Sequence, residues 1–353
     1  VAERAFAVGA RAIGDGAPVF VVAEAGVNHN GDPGLALKLV DVAADAGADA
    51  VKFQTFRTDA LVTRQAPKAA YQRAATGAAD SQHAMLSRLE LDAAAHTALR
   101  DHSVRRGILF FSTPFDEASA DELEALGVPL FKVPSGEITN VPLLRHLAGK
   151  RRPVIVSTGM STLDEVALAV EVLRTGGDPP LALLHCLSAY PAPAAEINLR
   201  AMDTLRARFG VPVGFSDHTA GLAVPVAAVA RGAAIVEKHF TLDRTLPGPD
   251  HAASLDPRQL RALVQSIREV ESALGDGDKR PMPCEMDTRR VARRSLVAAR
   301  ALRAGERLSA EAIGIKRPGT GISPVDLERA LGRRVRRDVD ADEVIDWSAL
   351  EDR

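Results

Sequence analysis

Eight short apolar runs rich in β-branched residues recur along the chain: VFVVAE (19–24), AVKFQT (50–55), ILFFSTP (108–114), LFKVPSGE (130–137), VIVSTG (154–159), LALLHC (181–186), VGFSDHT (213–219) and IVEKHFT (235–241). Between them lie stretches such as PGLALKLVDVAADAG, LDEVALAVEVLRTGG and LAVPVAAVARG, with helical apolar spacing and, in several cases, a closing glycine suited to a left-handed C-cap. Eight strand-helix units predict an α/β fold, a closed (β/α)8 TIM barrel. An open doubly wound sheet would carry G-x-G-x-x-G after the first strand, and none follows VFVVAE. After a helix expected to end near Leu274, GDGDKRPMPCEMD has the composition of a linker. The short alternations and tight turns beyond it predict a small β-rich module. The expected bounds are a barrel over 1–280, a linker over 281–290 and the module over 291–353.

Each apolar run turns polar at its C-terminal end, where the active face of a barrel lies. The residues are Glu24; Lys52 and Gln54; Ser112 and Thr113; Lys132, Ser135 and Glu137; Ser157 and Thr158; His185; Asp217 and His218; then Glu237, Lys238 and His239. Polar groups ending all eight strands predict a rim site for a polar, anionic ligand. His218 and His239, on adjacent strands, could share one divalent ion with open positions for water and substrate, or could be two histidines bonded to Asp217 and Glu237. Lys52, Lys132, Ser135, Ser157, Thr113 and Ser216 could line a pocket for phosphate and carboxylate, although serines and threonines also cap helices, as Ser161 or Thr162 would before LDEV. Glu24 is placed to act as a base or to orient water, or else to pair with a rim lysine. His29 and Asn30 are expected to shape the loop after the first strand, and Cys186 to be a packed residue. Asp250 in PGPDH could meet sugar hydroxyls from a stiff loop or could simply form a turn.

Composition narrows the classes. Of the basic residues 36 are Arg and 8 are Lys, so three lysines at strand ends, Lys52, Lys132 and Lys238, look selected for close approach to anions. The net charge of -2 gives no sign of nucleic-acid binding, and the arginine-rich stretch from Arg289 onward has Trp347 as its only aromatic residue, which leaves no stacking platform. Two cysteines argue against a disulfide framework. Apolar runs such as AVPVAAVA are too short for a membrane span. A cytoplasmic enzyme with no membrane and no nucleic-acid partner is the expectation.

The motifs AEAGVNHNGD, VKFQTF, FFSTPFD, FKVPSGEITN, VSTGM, LHCLSAYP, GFSDHT, EKHFTLD, GPDHAAS, ARRSLVA and KRPGTGISP, in that order, make the chain resemble the sialic acid synthase family. The resemblance implies a barrel followed by an antifreeze-like (SAF) domain, in a homodimer whose small domain covers the partner barrel. It implies condensation of phosphoenolpyruvate with N-acetylmannosamine or a related 2-acetamido aldose, with release of phosphate. The metal ligands implied are His218 and His239, for Mn2+ first, with Mg2+ or Co2+ as alternatives. Phosphoenolpyruvate contacts would be Lys52, Thr113, Lys132, Ser135, Ser157 and Ser216, with Arg317 from the other subunit. Sugar contacts would be Gln54, Glu137, Tyr190 and Asp250, and the catalytic residues Glu24 and His239, with Glu237 and Lys238 orienting the shell. Ser188 stands where some members carry Asn, and YQRAATGAADSQ replaces a different phosphate-side loop of those members, so no role is carried onto that loop. Both features recur in synthases of legionaminic acid, which makes N,N'-diacetyllegionaminate synthase an alternative. A Schiff-base aldolase using a rim lysine and a non-catalytic sugar-binding barrel are alternatives of other classes.

Overall fold

The computed structural model describes residues 5–352, which divide after Gly275 into two compact units. In chain order the strands are β1 (Phe6–Val8), β2 (Arg11–Ile13), β3 (Phe20–Gly26), β4 (Ala50–Thr55), β5 (Leu109–Pro114), β6 (Phe131–Val133), β7 (Val154–Ser157), β8 (Leu181–Cys186), β9 (Val213–Asp217), β10 (Ile235–His239), β11 (Ser295–Ala298) and β12 (Ile313–Lys316). Eight of these, β3 to β10, pair in parallel in the order β5-β4-β3-β10-β9-β8-β7-β6. The last strand returns to the first, with Ile235 opposite Phe20 and His239 opposite Glu24. β5 and β6 lie side by side at the seam, so the sheet forms a nearly closed (β/α)8 barrel.

Local chemistry explains the elements. β3 is buried along its whole length, as expected of a parallel strand covered by helices. The helix Pro33–Ala46 is capped by Asp32, whose carboxylate accepts from Gly34 and Leu35, and it ends at Gly47 with φ 81°. Thr162 and Glu165 form a capping box that opens Leu163–Gly176. The β1–β2 hairpin was not anticipated from the sequence; its Val8 and Ile13 join the barrel core. Arg11 also pairs with Asp49 at 3.1 Å, and Asp49 accepts from the backbone N–H of Val21 at 2.8 Å.

Between β4 and the helix Ala93–Arg106 the chain makes three short helices, Thr58–Leu61, Ala70–Thr76 and Gln82–Ser87. The buried ammonium of Lys68 gathers this segment: it donates to Thr76 Oγ1 at 2.9 Å and Gly77 O at 3.0 Å, and pairs with Asp80. An apolar cluster of Val27, Phe56, Met85 and Leu89 fixes the segment to the barrel.

The second unit has its own core, including Leu296, Leu302, Leu308, Ile322, Val335 and Ile345, around the antiparallel pair β11–β12. Its turn carrying Arg317 is pinned by Ser295, which donates to Pro318 O at 2.7 Å and accepts from Gly321 N at 2.9 Å. The stretch expected as a linker contains the helix Met286–Ala292. Among the described residues no helix is long and apolar enough to cross a membrane.

Candidate active site

At the C-terminal ends of the barrel strands lies a cavity of about 450 Å³. Alternation along each strand decides who enters it. On β10, Glu237 and His239 face inward while Lys238 faces the outer layer, where its ammonium meets Asp217 at 2.5 Å and also bonds to Thr219 O. Lys238 therefore does not orient the ligand shell, contrary to the expectation from sequence: it closes a buried ion pair behind the strand. Ser112 and His185 are likewise turned away, bonding to Thr55 Oγ1 at 2.7 Å and Ile197 O at 2.6 Å.

The inward groups form one network. Lys52 lies 2.7 Å from Glu24 and 3.6 Å from Glu237, and donates to Thr113 Oγ1 at 3.1 Å. Lys132 donates to Ser157 Oγ at 2.7 Å and lies 3.5 Å from Glu237, which also accepts from Ser216 Oγ at 2.9 Å. Ser135 Oγ accepts from Gly159 N at 3.0 Å, and Gln54 Nε2 donates to Glu24 at 3.3 Å. Two lysines and a hydroxyl thus hold Glu237, whereas Glu24 has one lysine and one amide. Burial pushes the Glu24 carboxyl up to about 7, against the pull of Lys52. The same burial acts on Glu237, but Lys132 and Lys52 outweigh it and hold this carboxyl at about 2. Glu237 is the resident anion and Glu24 stands on the edge of ionisation, a split typical of paired carboxyls with different tasks.

The rings of His218 and His239 are 5.5 Å apart, both on the cavity. His218 Nδ1 donates to Leu187 O at 2.7 Å, which leaves Nε2 its lone pair. His239 Nδ1 is buried without a hydrogen-bond partner, and burial holds this imidazole well below its ordinary pKa and therefore neutral. Two neutral-capable imidazoles, one with an orphaned nitrogen, fit a divalent ion bound by two protein ligands. Among the described residues no group of three His, Cys, Asp or Glu side chains is arranged to hold a metal, so the remaining positions would fall to water and substrate oxygen.

Tyr190 stacks on His218 at 4.2 Å, and Asp250, buried and pushed up to about 6, completes the far wall with Gln54. Glu137 does not line the cavity; it accepts from Asn140 at 2.7 Å. Arg317 is exposed on the turn of the second unit. Glu237, expected only to help orient the shell, is the hub of the network, and Tyr71, to which no role is carried from the sequence, lines the cavity from the replaced loop. Tyr71 had a signal, since the chain contains only two tyrosines. Cys186, expected as packing, borders the cavity with its thiol 3.8 Å from His218 Nδ1. His29 and Asn30 serve the loop: His29 accepts from Gly31 N at 3.0 Å, and Asn30 Oδ1 lies 3.1 Å from His251 Nε2.

A parallel barrel with lysines, carboxyls and imidazoles converging at its C-terminal rim has the architecture of a barrel enzyme. The chain belongs to the NeuB family, the sialic acid synthases: the family profile matches residues 39–279, and a SAF domain profile matches 293–351. It is 47% identical over 336 residues to an N,N'-diacetyllegionaminic acid synthase of Legionella pneumophila, covering 94% of each chain. It is 46% identical to the protein of the same name from Campylobacter jejuni, covering 92% of this chain and 98% of that one. Among solved structures, an N-acetylneuraminic acid synthetase of Leptospira borgpetersenii in complex with citrate aligns with a TM-score of 0.72 at 36% identity, over 81% of this chain and 95% of that one.

Proposed function

We propose that the chain is a nonulosonic acid synthase that condenses phosphoenolpyruvate with a 2-acetamido aldose of the N-acetylmannosamine type. The observation that carries this reading is the pair of buried lysines, each tethered by a hydroxyl and sharing Glu237. Such ammonium groups, with Ser135, Ser157 and Ser216 beside them, are equipped to receive a phosphate and a carboxylate together. The similarity to synthases of nine-carbon acids supports the same chemistry. The resemblance to two N,N'-diacetyllegionaminic acid synthases favours, as a second reading, a 2,4-diacetamido-2,4,6-trideoxymannose as the sugar.

In this reaction C3 of the enol forms a bond to the aldehyde carbon of the open-chain sugar, and the aldehyde oxygen takes up a proton to become a hydroxyl. The cationic centre left at C2 is captured by water, one of whose protons passes to Glu24 and from there to the former aldehyde oxygen. The C2–O bond to phosphate then breaks as the new C2 hydroxyl becomes the keto oxygen, its proton leaving with the phosphate, giving a 2-keto acid and inorganic phosphate. Lys52 and Lys132 hold phosphoenolpyruvate throughout, and Glu237 keeps both ammonium groups charged and fixed. Gln54, Tyr190 and Asp250 face the sugar. A Mn2+ ion held by His218 and His239 would supply a Lewis acid for the aldehyde oxygen, with Mg2+ or Co2+ as substitutes. In the homodimer proposed here, Arg317 reaches the phosphoenolpyruvate of the partner barrel.

The reading is tested by incubating the protein with phosphoenolpyruvate, Mn2+ and a panel of amino-mannose derivatives. The expected result is a nine-carbon keto acid by mass, one phosphate per product, and loss of turnover with a chelator. Borohydride trapping of pyruvate on a lysine would instead establish the aldolase class.

A further inference from the structure

The cavity has two ends of opposite chemistry. The strand ends make the charged one. The other is built from the segment between β4 and Ala93–Arg106 and from the loops after β3 and β5, and its wall includes Val27, Phe56, Met85, Leu86 and Phe115. Phe56 and Phe115 meet edge to face at 6.0 Å, so this wall is packed in place. Both tyrosines of the chain stand beside it: Tyr71 stacks on Tyr190 at 4.8 Å with the rings tilted by 31°, and Tyr190 continues the stack onto His218.

Charge at this end is absent where it would matter for a second phosphate. Among the described residues of the barrel unit, the only lysines or arginines lining the cavity are Lys52 and Lys132, both committed at the strand ends. None of the cations of the wall segment lines the cavity: Lys68 pairs with Asp80, Arg73 donates to Lys68 O at 2.5 Å, Arg88 pairs with Asp80 at 2.5 Å, Arg57 pairs with Glu122 at 3.3 Å, and Arg64 is exposed. A phosphate placed here would lose its hydration without gaining a partner, while methyl groups would be buried against apolar side chains.

We infer that this wall is the specificity element for the sugar and that Tyr71 is its specificity-determining residue. It accepts an uncharged aldose that presents the methyl groups of acyl amides or of a deoxy carbon, and it rejects one phosphorylated at the end remote from the aldehyde. This inference rests on the synthase reading above and goes beyond it by naming the wall and the residue that select the sugar.

The test compares N-acetylmannosamine, its 6-phosphate and 2,4-diacetamido-2,4,6-trideoxymannose as co-substrates for wild type, Tyr71→Ala and Tyr71→Phe. The wild type is expected to favour the diacetamido sugar over the 6-phosphate by at least about 100-fold in kcat/KM, the scale at which a pocket discriminates by unpaired polar groups. Tyr71→Ala should raise the sugar KM by about 10-fold or more and compress that preference, with the KM for phosphoenolpyruvate within about 2-fold of wild type. Tyr71→Phe keeps the ring and should restore most of the preference. Tyr71 is half-buried on a short surface helix, so the alanine variant is expected to fold, and an unchanged unfolding midpoint checks this. A wild type that favours the 6-phosphate, or an alanine variant with unaltered sugar KM and preference, overturns the inference while leaving the synthase intact. Turnover of no sugar at all removes the synthase reading and this inference together.

Discussion

Glu24 and Glu237 sit at the ends of adjacent strands, both buried, yet their surroundings give them opposite protonation behaviour. A base poised near 7 must lose its proton to act, so kcat/KM is expected to fall tenfold per pH unit below about 7 and to level above it. Glu24→Gln should abolish that limb, lower turnover by about 10²- to 10⁴-fold and leave both Michaelis constants near wild type. A pH-rate profile that keeps its acid limb in this variant would assign the limb to another group. His218→Ala and His239→Ala should each lose Mn2+-dependent turnover and bound Mn2+ by elemental analysis, with the unfolding transition retained. Residue types at this scale were legible in the sequence: Glu24, Lys52, Lys132, His218 and His239 all reach the cavity. The weights were not, because Glu237 becomes the hub only through Ser216 on the neighbouring strand, Lys52 two strands away and Lys132 across the barrel.

At the scale of elements, side-chain alternation is what the list of polar strand ends lacked. Lys238 and Lys52 read alike in sequence, but one faces Asp217 in the outer layer and the other faces the cavity. Lys238→Met should destabilise the fold by about 3–5 kcal/mol, because it strands a buried Asp217, while the folded fraction keeps wild-type kcat/KM. Lys52→Met should do the reverse in emphasis, with phosphoenolpyruvate binding lost in titration calorimetry. Gly159, which follows β7, is a second case. A Cβ there would come within 2.4 Å of Ser188 Oγ and 2.8 Å of Ser135 Oγ. Gly159→Ala is therefore expected to raise the KM for phosphoenolpyruvate by displacing Ser135, and an unchanged KM would show that this serine is not a contact. The wall segment was invisible to periodicity, since its helices are of four, seven and six residues and are held by Lys68 and an apolar cluster rather than by an amphipathic stripe.

For the whole molecule, the proposed exchange of Arg317 between subunits makes a prediction about mixed dimers. Refolding Glu24→Ala together with Arg317→Ala should yield dimers in which one barrel has Glu24 and faces an intact Arg317, so activity appears in the mixture and in neither parent. No activity despite mixed dimers detected by mass would place Arg317 in its own barrel's service. The sequence by itself determined the eight strand-helix units, the chemistry at their C-terminal ends and the presence of a second β-rich unit, because strand runs, helix caps and turn residues are local properties of the chain. Only the tertiary structure decided which polar residues face inward, that Glu237 joins both lysines, and that Tyr71 and Tyr190 stack into one wall. It also decided the β1–β2 hairpin, whose three-residue strands are too short to show a period. These outcomes depend on register between strands and on contacts between residues such as Lys52 and Glu237, 185 positions apart, which no window along the chain contains.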